Sequence, residues 1–105
     1  MSKLEDINYL HQLYDYYGSL LTEKQRDNFE LYYFEDLSLA EIAEELKISR
    51  NAVHNNLQAT INNLKNYENH LGMVAKKAKL VEIVIKIEDT KTVNDNDISE
   101  LKKML

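Results

Sequence analysis

Apolar residues recur three and four positions apart along most of this chain. Leu4, Ile7, Leu10, Tyr14, Tyr17 and Leu21 make the first such row, the pattern of one buried helix face. Gly18 and Ser19 mark its end. In "LTEKQ", Thr22 with Gln25 forms a capping box, which ties down free backbone donors at a helix start. The helix it opens turns Phe29, Tyr32 and Tyr33 inward and runs to about Phe34. After the connector "EDL", Ser38 with Glu41 forms a second capping box. Leu39, Ile42, Ala43 and Leu46 then give a short helix its apolar face. "KIS" follows, and Ser49 caps a further helix with Ala52, Val53 and Leu57 inward.

Nothing obvious ends that helix. Leu64, Tyr67, Leu71, Val74, Ala78, Val81 and Ile85 continue in a heptad-type seam. "KLVEIVIKI" has strand propensity, but the seam runs through it in helical phase, which predicts helix. Gly72 inside the run costs about 1 kcal/mol against Ala and marks a kink or a close crossing. "DTKTVNDND" is a polar loop, and Asp97 with Glu100 is expected to cap a last helix, "ISELKKML". The pattern predicts an all-α protein: a four-helix core over residues 1–66, then a C-terminal helix and short terminal helix over 67–105. The seam needs a partner, either a second copy or the Tyr14/Tyr17 helix of the same chain. A homodimer through Leu64, Tyr67, Leu71, Val74, Ala78, Val81 and Ile85 is the preferred expectation.

The middle of the chain, "SLAEIAEELKISRNAVHNNLQ", has the parts of a helix-turn-helix. Two helices crossing steeply need a small residue in the first, and Ala43 supplies it. An apolar residue should plug the turn, here Ile48, and apolar anchors are needed in the second helix, here Val53 and Leu57. Arg50, Asn51, His54, Asn55 and Gln58 are left outward. Asn and Gln pair with adenine, and Arg with guanine or phosphate. Gly often holds the position of Lys47, since positive φ is easiest for Gly. Lys47 must bear that strain or take a different turn.

Charge sharpens the question of what this motif does. The chain has 105 residues and net charge −5. Residues 1–37 hold 3 basic and 8 acidic groups, while 38–65 and 66–105 each balance to zero. Nucleic-acid binders usually present a basic surface, and this motif is neutral. Pro is absent and Gly occurs twice, which disfavours a turn-rich β fold. With no cysteine there is no disulfide or thiolate metal site. "MSKLEDINYLHQ" has acids where a signal peptide would be apolar, and no apolar run could span a bilayer. A cytoplasmic location and no membrane partner are expected.

The run "LTEKQRDNFELYYFEDLSLAEIAEELKISRNAVHNNLQ" resembles region 4, the promoter-reading domain of bacterial sigma factors. It resembles the YlxM/p13 family of small helix-turn-helix proteins more closely. The matching positions are Leu21–Thr22, Lys24–Arg26, Leu31–Tyr33, Asp36–Leu39, Glu41–Glu44 and Ser49–Val53, within a resemblance running from about Ile7 to Leu71. It implies a sigma region 4-like bundle and a DNA-binding role in transcription regulation. Genes of that family lie beside those for the signal recognition particle GTPase and its receptor, which implies a role in that pathway or its regulation. Family members often carry basic residues after the recognition anchors. Here "LQATINNLK" is neutral until Lys65, a departure that bears on phosphate binding more than on fold.

Other features have ordinary explanations. Most of the seven tyrosines fall on apolar helix faces and read as core. His11, His54 and His70 share no ligand spacing and read as surface residues, with no metal site. "NDNDISE" lacks the Gly and distal Glu of a calcium loop. Lys76, Lys77 and Lys79 read as a solvated helix face, with an RNA or phosphate contact as the alternative. No catalytic constellation, cofactor motif or small-molecule site is evident, so the chain is not expected to be an enzyme.

The sequence therefore predicts a DNA-binding regulator in which Arg50, Asn51, His54, Asn55 and Gln58 contact bases or phosphates. Ser49, which caps the reading helix, belongs to the same DNA-binding set, and Lys47 and Lys65 position the backbone. The rival is a module that uses the same fold to contact the signal recognition particle GTPase, its RNA, or RNA polymerase. The acidic first third favours that rival.

Overall fold

The structure, a computed structural model, describes residues 4–105, with side chains from Asp6 onward. Among these residues there are six α-helices and no strand: α1 (Leu4–Tyr17), α2 (Glu23–Tyr33), α3 (Leu39–Leu46), α4 (Arg50–Leu71), α5 (Met73–Thr90) and α6 (Asp95–Lys103). They form two compact units that divide between Leu71 and Gly72.

The first unit is built around α4, which packs on α1, α2 and α3. Leu10, Leu13 and Tyr17 of α1 are buried, as are Leu21 and Phe29. The side chain of Leu4, expected on the same face, lies outside what is described. Tyr14 stacks on Phe29 with ring centroids 4.5 Å apart, and Phe34 meets both rings edge-on. Tyr14 also donates a short hydrogen bond to Glu30. Burial first, then the Glu30 carboxylate, raises its phenol well above the ordinary value. The helix-turn-helix has its own cluster of Ile42, Val53 and Leu57, closed by Leu31, Leu37, Leu39, Ala43 and Leu46 among others. Each such aliphatic side chain contributes on the order of 1.5–3 kcal/mol through its removal from water.

Local chemistry places the helix starts. Thr22 and Gln25 form the expected capping box, with bonds of 3.0 and 3.2 Å. Ser38 and Glu41 form the other, at 2.8 and 3.1 Å. Lys47 ends α3 at φ 59°, in the left-handed region. The N–H groups of Lys47 and Ile48 both donate to the Ala43 carbonyl, so the last turn is closed in the manner of a glycine stop without the glycine.

Several expectations are corrected. Ile48 is 40% exposed and does not plug the turn; Leu37 and Leu46 fill the cluster instead. His11 is half-buried, not a surface residue, because its ring packs on Phe34 at 4.8 Å. The helix does not run unbroken through the seam. Gly72 takes φ 62° and separates α4 from α5, a conformation that only glycine adopts without cost. The division falls after Leu71 rather than after residue 66, because the Tyr17 hydroxyl donates to Glu68 at 2.6 Å and its ring meets Tyr67. Both residues thereby belong to the first unit.

In the second unit α5 and α6 run antiparallel: Lys86 bonds Asp97 at 2.6 Å, and farther along Lys79 lies 3.9 Å from Glu100. "KLVEIVIKI" is helical throughout. The last helix begins earlier than expected. Asn94 is its cap and Asp97 the third residue of the box, since an Asp there can bond the Asn94 N–H and meet Lys86 together. The hydrogen bond from Lys86, then the backbone bond from Asn94, holds the Asp97 carboxyl below its ordinary value.

Candidate nucleic-acid interface

The second helix of the motif is α4, and its start is built to present side chains. Ser49 accepts a 3.0 Å hydrogen bond from the Ala52 N–H. Val53, Leu57, Thr60 and Leu64 are buried and anchor one side of the helix. The Thr60 hydroxyl is satisfied within the helix, donating to the Asn56 carbonyl at 2.8 Å. With that side turned inward, Arg50, Asn51, His54, Asn55 and Gln58 are all exposed, as are Lys47 and Lys65. None of these seven side chains has a hydrogen bond or ion pair among the described residues.

The electrostatics of this end differ from those of the other capped helices. The first turns of α2, α3 and α6 each carry an acidic residue. That of α4 carries none and opens on Arg50. A helix N-terminus already attracts anions through its unbonded N–H groups, and here no carboxylate on the helix itself competes. Close by in sequence, α3 carries Glu41, Glu44 and Glu45, all exposed. The N–H of Ser38, bonded to Glu41, holds that carboxyl below its ordinary value, and the Ser38 hydroxyl acts in the same direction. The site is therefore a weakly cationic point beside an acidic helix, suited to hydrogen bonding more than to strong attraction of phosphate.

The structure brings Arg50, Asn51, His54, Asn55 and Gln58 together on the N-terminal half of α4, with Lys47 and Ser49 in the turn before it and Lys65 farther along the helix. Asn62, Asn66 and Asn69, absent from the sequence-predicted set, continue the exposed row beyond Gln58. Their spacing of three and four is legible in the sequence, but uncharged amides at that spacing carry no burial signal of the kind apolar residues give.

The seam assigned to a dimer does not stay on one free surface. Leu64 is fully buried and Val74 nearly so within the single chain, so neither can meet a second copy. Tyr67 is half-buried; Leu71, Ala78, Val81 and Ile85 remain exposed.

A capped helix pair joined by a short turn and packed through one apolar cluster, with an unpartnered polar face on its second member, defines a helix-turn-helix protein. The profile of one family, UPF0122, described as "Putative helix-turn-helix protein, YlxM / p13 like", matches residues 4–104. The chain belongs to this family. It is 47% identical to a UPF0122 protein of Desulforamulus reducens over 85 residues, covering 77% of this chain and 73% of that one. It is 38% identical to a UPF0122 protein of Bacillus mycoides over 102 residues, covering 97% and 93%. A UPF0122 protein of Caldanaerobacter subterraneus is 44% identical over 85 residues, covering 81% and 73%. No helix among the described residues is long and apolar enough to cross a membrane.

Proposed function

We propose that this protein is a non-enzymatic, cytoplasmic DNA-binding regulator that inserts the start of α4 into the major groove. The observation that carries this proposal is the unpartnered set Arg50, Asn51, His54, Asn55 and Gln58 on a helix whose first turn lacks acids. Lys47 and Lys65 contact phosphates, and Ser49 holds the helix start. Arg50→Ala together with Asn51→Ala abolishes sequence-specific binding in a mobility-shift assay while helical circular dichroism is unchanged. Binding that survives both substitutions would remove this face from the proposal.

Homodimerisation belongs to the same proposal. Val81 and Ile85 lie on the side of α5 opposite the buried Ile83, and with Val84 they are about half exposed. A second copy covering this stripe removes apolar surface from water and gives the two-fold arrangement that paired half-sites require.

A second function is favoured by a separate observation, the excess of five acidic charges in residues 1–37. It is a protein- or RNA-interaction module in the signal recognition particle pathway, or at RNA polymerase. Recovery of those components from lysate in a form that resists nuclease supports it; recovery of nuclease-sensitive DNA fragments supports the regulator.

A further inference from the structure

Along α4 one row of side chains is uncharged, exposed and unused. Asn51, Asn55, Gln58, Asn62, Asn66 and Asn69 recur at steps of three and four, and all six are exposed. That spacing sets them on one face of the helix, opposite Val53, Leu57, Thr60 and Leu64. None of the six side-chain amides has a hydrogen-bond partner among the described residues. Where an amide elsewhere is used, its partner is local: Asn28 donates to the Lys24 carbonyl, Asn94 caps α6, and Asn56 accepts from Thr60.

The row is not a by-product of composition. Seven of the chain's eleven asparagines lie in this one helix, and five of those seven stand in the row. Asn forms helices less well than Ala, Glu, Lys or Gln, because its side chain competes for backbone groups. A face that only met water would favour those other residues. From Asn51 to Asn69 the row is about 27 Å long, at 1.5 Å per residue. Each amide offers an acceptor and a two-proton donor side by side. That pair matches the exposed edge of adenine in the major groove, where N6 donates and N7 accepts.

We propose that this row is a reading and tracking surface for A·T-rich duplex DNA. Resting on the insertion of α4 proposed above, it assigns Asn51, Asn55 and Gln58 to adenine edges. A straight helix leaves a curved groove after its first turns, so Asn62, Asn66 and Asn69 bond the sugar–phosphate backbone at the groove's rim. Neutral amides release no counterions. Only Lys47, Arg50 and Lys65 do so along this helix and its turn, and the slope of log K against log salt is about −2.7 for three neutralised phosphates.

The test is selection of duplexes from a randomised pool by the full chain, followed by titration of the recovered sequence at several salt concentrations. Adenine-enriched positions and a shallow slope are expected. Asn55→Ala with Gln58→Ala then lowers the preference for adenine at two positions, each by about tenfold. Asn62→Ala with Asn66→Ala weakens all duplexes alike and leaves the slope unchanged, whereas Lys65→Ala reduces it by about one. Since Ala is the better helix former, circular dichroism should show these variants folded. Selected duplexes without adenine bias, or a bias that survives Asn55→Ala with Gln58→Ala, overturn the inference while the regulator stands. Recovery of no duplex overturns both.

Discussion

In the first unit Leu13, Phe29, Ile42, Val53 and Leu64 are fully buried, whereas in the second only Val74 and Ile83, at 8% and 5% exposure, are buried apolar residues. The second unit instead leaves Leu80, Val81, Val84, Ile85, Val93 and Ile98 about half exposed, and a charge pair, Lys86 with Asp97, fastens its two helices. A two-helix hairpin has too little interior to cover its own apolar residues. The first unit can therefore hold a row of amides in water without losing its core, and the second has surface to spend on association. The polar face of α4 and the apolar stripe of α5 are opposite outcomes of the same helical spacing.

The comparison can be broken most severely through the first core. Phe29→Ala removes a fully buried ring stacked against Tyr14 and should cost about 3–5 kcal/mol, measured by urea unfolding monitored by circular dichroism. A loss below 1 kcal/mol would mean that the aromatic cluster is not the centre of that unit. Next in size is Val81→Glu with Ile85→Glu. Sedimentation equilibrium should show monomer at concentrations where the unaltered chain is dimeric, with helical content retained. An unaltered chain that is already monomeric would end the dimer proposal.

Smaller effects sharpen the contrast. Lys47→Gly relieves a left-handed residue and should stabilise the first unit by about 1 kcal/mol, while removing one phosphate contact and weakening binding equally for all sequences. In the second unit, the Asp97 carboxyl is held below its ordinary value by Lys86 and Asn94. Its contribution is present above the unfolded aspartate pKa and is lost as pH falls through the lower folded one. Thermal melts should show stability declining in acid below the ordinary aspartate range, with that part of the decline absent in Asp97→Asn.

Much of the first unit was legible because its signals are local. Thr22 with Gln25 and Ser38 with Glu41 are each three residues apart, and both form the boxes that spacing predicts. Ile42, Val53 and Leu57 meet as their periodicity requires. The candidate site followed, since the residues outward on α4 are those left once the anchors turn inward. Less was legible beyond Leu71. A heptad row says that apolar residues share a face, but not whether that face is already covered. The start of α6 is ambiguous in the sequence because Asp97 can serve as a cap or as the third residue of a box; its reciprocal bonds with Asn94 and its meeting with Lys86 fix the second.

The sequence by itself determined the helices of the first unit, the helix-turn-helix and the family, because caps and apolar spacing act over a few residues. Tertiary structure decided the rest: that Leu64 goes into its own core while Ile85 does not, and that six amides on one face have no hydrogen-bond partner among the described residues. Those outcomes depend on which surfaces of distant segments come together, and burial is a property of the pair rather than of either residue.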